Sequence, residues 1–284
     1  MTVQTIASRE VAVVRVRDGA PEADMDWVAA EEPPEIRLRW GTAAEPRVQR
    51  LAVTMRTPGH DAALALGFLA GEGVIHAPTD VIDVAHTPLQ GGQRDPNIVV
   101  VTLADHVRFD ARRLERHVYT TSSCGVCGKA SLEAVAVSGA PTLPGGPSLR
   151  PETVHALPLR LRQAQDVFEQ TGGLHAAALF TEAAELVRVR EDVGRHNAVD
   201  KLVGSFLAEG AHVPAEHVLL VSGRASFELA QKALMAGISV LAAVGAPSSL
   251  AVDLATEHGM TLLGFVRDGR FNVYAGAGRL AEAG

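Results

Sequence analysis

The chain has only two cysteines among its 284 residues, and aromatic residues make up just 4% of it. None of its apolar runs reaches the roughly 18 to 20 residues that a membrane-spanning helix requires. The first twenty residues also lack the basic start, the long apolar stretch and the small-residue cleavage site of an export signal. These absences exclude a disulfide-stapled scaffold and predict a soluble, cytoplasmic protein in which thiols stay reduced.

Positive charge is also in deficit, because 26 Lys and Arg residues face 33 Asp and Glu residues, for a formal net charge of -7. We therefore expect no broad attraction to a nucleic-acid backbone or to an anionic membrane. Any anionic ligand must be held by a local group of donors. The hydrophobic content of 47% is ample for buried cores, and the length suggests about two domains.

The two cysteines stand three positions apart, at Cys124 and Cys127, and Gly125 and Gly128 follow them. A structural zinc site needs four thiolate or imidazole ligands, usually from two such pairs. Glycine flanks instead allow a reactive thiolate to move between partners. We interpret the pair as a sulfur-handling site, with half of a zinc site shared across a dimer and an ordinary redox dithiol as the alternatives.

The pattern of apolar residues changes along the chain. The first third favours short strands, interrupted by one helix at residues 62–69, whereas strands and helices alternate after residue 146. We predict a β-rich α+β domain over residues 1–118, a mobile loop carrying the cysteines over 119–128, and a layered α/β domain with a largely parallel sheet over 129–284. Residues 20–34 and 86–97 are predicted to be surface loops.

Three predicted strand-to-helix junctions contain small or hydroxylated residues: Glu191–Asn197, Ser222–Ser226 and Gly245–Ser249. If the strands are parallel, these junctions meet at one edge of the sheet, where helix N-termini offer free N–H groups to phosphates. Arg195, Arg224 and Lys232 add positive charge there. The alternative is that the serines and Asn197 are helix caps. No junction matches a Walker or Gly-x-Gly-x-x-Gly pattern, so the residues alone leave both interpretations open.

The last two predicted strands, Leu262–Val266 and Phe271–Tyr274, are separated by Asp268-Gly269 and should form a tight hairpin. Its turn brings together an aromatic ring and two arginines, which suit phosphate or purine recognition. A solvated surface turn is the alternative.

Several segments, in chain order, resemble the signature segments of the formate dehydrogenase accessory sulfurtransferases, the FdhD family. They are Arg56–Gly59, Gly71–Gly73, Ser122–Lys129, Thr171–Ala177, Glu191–Lys201, Ser222–Arg224 with Ser226, Glu228, Gln231 and Lys232, and Gly264–Arg267. The resemblance spans about residues 30 to 276. Two positions depart from it: Gly245 stands where a serine is expected, and Trp40-Gly41 where an Asn-Gly turn is expected.

This resemblance implies a sulfur carrier that accepts persulfide sulfur from a cysteine desulfurase. It would pass the sulfur to the molybdenum cofactor, in its bis-molybdopterin guanine dinucleotide form, for a formate dehydrogenase apoenzyme. It also implies a homodimer and a second domain of the cytidine deaminase fold. Cys124 would carry the persulfide and Cys127 would assist or resolve it. The implied cofactor-binding residues are His196, Ser222, Arg224, Phe265, Val266, Arg267, Asp268, Gly269 and Arg270.

The zinc chemistry of a deaminase fits these motifs poorly, because no proline precedes Cys124 and His196 is followed by Asn-Ala rather than by a catalytic glutamate. The fold would be reused without its metal. A non-catalytic chaperone that only binds the molybdenum cofactor is the competing hypothesis.

Overall fold

The computed structural model describes residues 7–42, 44–88, 94–109, 143 and 145–281. The Cys124–Cys127 segment and the domain boundaries at 118 and 129 lie outside these ranges, so the loop and the boundaries stay predictions. Over the ranges given, the chain forms three β-sheets and six α-helices. None of these helices is long and apolar enough to cross a membrane.

A two-stranded antiparallel ribbon opens the fold. Its strands are β1 (Ser8–Arg17) and β2 (Ala20–Ala29). Asp18 and Gly19 both have positive φ, 50° and 83°, as a two-residue hairpin turn requires. The predicted loop over residues 20–34 is therefore wrong for most of its length. The Asp-Gly turn outweighs the acidic, proline-containing composition of the second strand.

A four-stranded sheet follows, with strands β3 (Glu35–Gly41), β4 (Pro46–Val53), β5 (Val81–Pro88) and β6 (Arg94–Leu103) in the order β4-β3-β6-β5. Helix α1 (Asp61–Gly71) lies between its second and third strands in sequence. The short strands predicted for this part of the chain are confirmed as β3, β4 and β6, whereas β5 is not among them, and the loop predicted over 86–97 is wrong at both ends. Polar residues there continue β5 and begin β6, where one side of the strands stays exposed.

The second half of the chain forms a six-stranded sheet in the order β12-β11-β10-β9-β7-β8. Its strands are β7 (His175–Phe180), β8 (Leu186–Asp192), β9 (Val218–Val221), β10 (Val240–Ala243), β11 (Thr261–Arg267) and β12 (Arg270–Ala275). Only the β9-β10 and β10-β11 pairs are parallel. The expected largely parallel sheet is therefore corrected to a mixed one, because short loops make β7-β8 and β11-β12 antiparallel hairpins.

Five helices accompany this sheet: α2 (Pro151–Gln163), α3 (Asp166–Thr171), α4 (Arg195–Ala208), α5 (Phe227–Met235) and α6 (Ser249–Glu257). The apolar pattern of residues 157–170 predicts one helix, but the structure has the end of α2 and nearly all of α3 there. The second one begins where the Glu191 carboxylate accepts hydrogen bonds from the backbone N–H groups of Val167 (3.1 Å) and Phe168 (2.9 Å). A side chain from β8 thus caps α3.

Alternate residues of the six-stranded sheet enter two different cores. Leu219, Leu241 and Leu262 face a large core with α1, α4, α5 and α6, whereas Leu220 and Leu263 face a smaller one with α2. This alternation is the period of two that a sheet buried on both faces requires. The predicted layered α/β arrangement is confirmed in this sense.

Helix α1 joins the two sheets. It packs against α4 where a Cβ built on Gly67 would lie 1.9 Å from the carbonyl oxygen of Asp200, and one built on Gly204 would lie 1.8 Å from that of Ala63. Only glycine permits such a close approach of two helix backbones. Residues of both sheets consequently share the large core.

A buried ion pair fixes the same contact near the end of β8. The Lys201 ammonium lies 2.7 Å from the Asp192 carboxylate and donates to the Thr57 carbonyl at 2.7 Å. The same carboxylate accepts from the backbone N–H groups of Thr57 and Gly194. The chain leading into α4 is therefore held in place by the β-rich unit.

Candidate functional site at the carboxyl edge of the sheet

The predicted meeting of the junctions is confirmed for the two that follow the parallel strands β9 and β10, and the end of β11 lies beside them. Backbone hydrogen bonds link their ends directly: Gly245 N–H donates to the Gly223 carbonyl (2.9 Å), and Phe265 N–H donates to the Gly245 carbonyl (3.0 Å). Ser248 N–H also donates to the Ala225 carbonyl (3.0 Å). We call the segments Ser222–Ser226, Gly245–Ser248, Phe265 and the start of α4 the junction edge.

Two predicted residues have distinct positions at this edge. The Ser222 hydroxyl accepts a hydrogen bond from the Ala176 N–H (2.9 Å), so it ties the end of β9 to the start of β7. Ser222 therefore has a structural role at this edge. Arg224 is exposed, and its guanidinium is available to a ligand.

His196 lies in the first turn of α4 and faces the first turn of α5. Its Nε2 lies 3.2 Å from Glu228 Oε2 and 3.4 Å from the Ser226 hydroxyl, which itself donates to Glu228 Oε2 at 3.0 Å. Burial acts to raise the pKa of Glu228, but the hydrogen bonds and charge of its partners lower it overall. Glu228 is thus an ionised carboxylate beneath the junction edge.

Two further residues lie at this edge that are absent from the expected cofactor-binding set, although the sequence places Arg195 at the junction. His175 starts β7 directly opposite Asp192 of β8, and burial, with Arg195 and His196 adding to it, lowers its pKa. Arg195 begins α4, and its buried Nε has no hydrogen-bond partner among the residues described. The sequence does not predict this position of His175, because only the antiparallel course of β7 brings its first residue to this edge.

The predicted hairpin is confirmed, with Arg267 and Arg270 paired across the turn and Gly269 at φ 73°. Both arginines and Asp268 are exposed. Phe265 is 37% exposed and has φ 52°, a left-handed conformation that costs a bulky residue roughly 1–2 kcal/mol. Such strain at an exposed aromatic residue is typical of a functional position.

Val266 behaves differently from its neighbours. Its side chain is 0% exposed and belongs to the smaller core beside α2. Only its backbone is left for a ligand, so its place among the expected cofactor-binding residues rests on backbone atoms.

The departure at Gly245 has a physical basis. A Cβ at this position would lie 3.0 Å from the Gly223 carbonyl oxygen and 3.0 Å from Arg224 Cγ. A serine would therefore push against the loop that carries Arg224. Because Gly245 has no side chain, the β9 and β10 junctions pack closely in this chain, and the hydroxyl group of the expected serine is absent.

Cys124 and Cys127 lie outside the described residues, so their distance from the junction edge is not part of this geometry. In the ranges that are described, no three His, Cys, Asp or Glu side chains come together in a way that could hold a metal ion. The zinc alternative for the two cysteines thus stays open.

The fold and this edge define a class: a layered α/β protein with basic, hydroxylated strand-to-helix junctions. A sequence profile of the FdhD/NarQ family matches residues 29–281. The chain belongs to this family.

Individual relatives agree with the profile. The chain is 57% identical over 274 residues to a protein of Streptomyces coelicolor named sulfur carrier protein FdhD, covering 95% of this chain and 94% of the relative. It is 56% identical over 273 residues to a protein of the same name from Streptomyces avermitilis, with the same coverage. The predicted family resemblance is confirmed.

A solved structure shows the same fold. It is the crystal structure of a protein from Desulfotalea psychrophila described as a proposed formate dehydrogenase accessory protein. The TM-score is 0.72 at 22% identity, over 97% of this chain and 100% of that one.

Proposed function

We propose that this protein is a sulfur carrier for formate dehydrogenase maturation. The observation that carries the proposal is the junction edge itself, with exposed Arg224, strained Phe265 and two helix N-termini, in a chain whose relatives bear the name sulfur carrier protein FdhD. The sulfur donor would be a cysteine desulfurase, and the client a formate dehydrogenase apoenzyme.

The first chemical step is a persulfide exchange at Cys124. Its thiolate attacks the outer sulfur of the donor's persulfide, a new S–S bond forms on Cys124, and the donor cysteine leaves as a thiolate. No net oxidation occurs in this exchange. Gly125, directly after Cys124, gives the backbone the freedom that two successive partners demand.

Release of the sulfur as sulfide needs two electrons. The Cys127 thiol supplies them when it attacks the inner sulfur of Cys124, because a Cys124–Cys127 disulfide forms while the outer sulfur leaves as hydrogen sulfide. A dithiol reductant then restores both thiols. This step gives Cys127 the resolving role.

The sulfur acceptor would be the bis-molybdopterin guanine dinucleotide cofactor, bound as a substrate at the junction edge. Arg224, Arg267 and Arg270 are exposed donors suited to its phosphates, and the Phe265 ring offers a stacking face for a purine. The N-termini of α4 and α5 add backbone N–H groups, which, like the arginines, favour a bound phosphate. His196, Ser222, Asp268, Gly269 and the Val266 backbone complete the proposed site.

The proposal also includes the cytidine deaminase fold for the second domain, the domain limits 1–118, 119–128 and 129–284, a homodimer and a cytoplasmic location. In this account the deaminase fold carries no metal of its own. Metal analysis of the purified protein tests that point, since stoichiometric zinc would favour a zinc-bridged dimer.

The mass of the peptide that contains Cys124 tests the sulfur chemistry. After incubation with a cysteine desulfurase and cysteine, this peptide should gain one sulfur atom, and the gain should disappear after treatment with a thiol reductant. The C124A variant is the matched control. No added sulfur on either cysteine of the wild type would refute the proposal.

The competing function is a chaperone that binds the cofactor and hands it over without sulfur chemistry. Cells that carry only C124A separate the two hypotheses. Loss of formate dehydrogenase activity supports the sulfur carrier, and retained activity supports the chaperone.

A further inference from the structure

Helices α4 and α5 face each other through two layers of ionisable side chains. His196 and Glu228 form the layer at the junction edge, and Asp200 and Lys232 form the layer one turn below, with 2.7 Å between Lys232 Nζ and Asp200 Oδ1. Each pair of residues on one helix is spaced i, i+4, so both lie on the same helix face. The lower layer is buried, whereas about 15% of the His196 side chain is exposed.

Glu228 Oε2 is the meeting point of the upper layer. It accepts from the Ser226 hydroxyl at 3.0 Å and lies 3.2 Å from His196 Nε2. An unprotonated Nε2 would direct a lone pair at an ionised carboxylate, which is repulsive. The carboxylate therefore requires a proton on Nε2.

This requirement decides what the other ring nitrogen can do. When His196 is neutral, a proton on Nε2 leaves Nδ1 as a hydrogen-bond acceptor. None of the described residues donates to Nδ1, and the ring borders the junction edge. An acceptor there matches an N–H donor on a ligand, such as the edge of a purine or pterin, and not a phosphate.

We propose that Glu228 is the positioning residue of His196, fixing its Nε2-protonated form so that Nδ1 meets the ligand as a hydrogen-bond acceptor. This inference deepens the proposed function, because it rests on His196 belonging to the ligand site. Other titratable groups near His196 are Asp200 on its own helix and His175 on β7. Neither forms the contact that Glu228 makes with Nε2 at 3.2 Å.

Nitrogen NMR of the histidine rings tests the proposal in the unliganded protein. Correlations from the ring carbon-bound protons to the two nitrogens show which nitrogen carries the proton. His196 should have its proton on Nε2 in the wild type and in S226A, and a mixture of the two forms in E228A. E228Q keeps the shape of Glu228 and carries the test if E228A does not fold, again with an expected shift toward the mixture.

Guanosine diphosphate is the probe for the second part of the proposal, the contact between His196 and a ligand. H196A should weaken its binding about tenfold, the effect of losing one hydrogen bond. E228A should weaken it less, by roughly two- to fivefold, because a mixture of the two forms leaves part of the population able to accept from the ligand. The double variant should bind no more weakly than H196A, because Glu228 acts only through His196. Additive losses, or a wild-type His196 protonated on Nδ1, would overturn the proposal.

These outcomes remain distinct from the sulfur-loading test. A wild type that binds no guanosine diphosphate argues against the ligand site of the proposed function, whereas the proton position on His196 alone decides the role of Glu228. Persulfide formation on Cys124 is read separately by mass.

Discussion

The contact between the two sheets and the junction edge are built in opposite ways. At the contact, glycine backbones of α1 and α4 touch, and Lys201 pairs with Asp192 while both are almost fully buried. At the junction edge, Arg224 is exposed and Phe265 holds a strained backbone. The first region has its polar groups satisfied internally, and the second leaves donors for another molecule.

The difference indicates where stability and function lie. Substitutions at the sheet contact should change the free energy of unfolding and affect ligand binding only through the fold. Substitutions of the exposed side chains at the junction edge should change binding and leave stability nearly constant. Four variants or conditions test this separation, in order of decreasing expected effect.

Gly204→Ala should have the largest effect. Its Cβ would lie 1.8 Å from the Ala63 carbonyl oxygen, a backbone atom, so α1 must leave α4. We expect a loss of at least about 4 kcal/mol in the free energy of unfolding, measured by urea denaturation. Gly278→Ala is the control, since no atom lies within 4 Å of its Cβ position. Equal stability of the two variants would contradict the described helix contact.

Arg224→Gln should separate binding from stability. We expect guanosine diphosphate to bind about tenfold to a hundredfold more weakly in calorimetry, because a charge-assisted hydrogen bond is lost. The free energy of unfolding should change by less than about 0.5 kcal/mol. Arg17→Gln, an exposed arginine on the β1-β2 ribbon, should change neither quantity. Normal binding by Arg224→Gln would remove this residue from the ligand site.

Phe265→Gly should relieve strain while it weakens binding. Glycine adopts φ 52° without penalty, so the free energy of unfolding should stay constant or rise by up to about 1 kcal/mol. Nucleotide affinity should fall, since the stacking face is lost. Ala184→Gly is the control: it also replaces a residue of positive φ, 61°, but in the β7-β8 loop, and should leave affinity unchanged. A destabilised variant with normal affinity would show that Phe265 serves packing.

Acid should weaken the fold modestly through His175. Burial lowers its pKa in the folded state, so the unfolded chain binds the proton more readily. The stability contribution of the neutral ring is complete above the unfolded pKa of about 6.5 and is lost as the pH falls through the folded pKa. Thermal unfolding between pH 7.5 and 5 should therefore show a smaller decline for His175→Asn than for the wild type. His212→Asn, at an exposed position, should decline like the wild type.

The sequence predicted the junction edge better than it predicted the sheet around it. Alternating strands and helices placed the junctions after β9 and β10 together correctly, because parallel neighbours are specified by the connecting helices. The antiparallel β7 and β8 were not foreseen, and His175 was missed with them. Their direction depends on the short loop that joins them and not on a local motif.

Contacts between residues far apart in the chain could not be predicted from the sequence either. The Glu228 contact with His196 joins residues 32 positions apart, and the Thr57 contact with Asp192 joins residues 135 apart. The strain at Phe265 is a backbone property that an aromatic residue in a strand pattern does not reveal. The motif residues could be named in advance, whereas their partners required the fold.

Transfer of labelled sulfur tests the central claim most directly. The protein is loaded on Cys124 with radiolabelled persulfide, freed of the desulfurase, and mixed with the molybdenum guanine dinucleotide cofactor in a single turnover. Our account predicts that the label moves to the cofactor with the wild type, much more slowly with Arg224→Gln, and not at all with C124A, which cannot be loaded. A label that stays on the wild-type protein while the cofactor is bound would contradict the account.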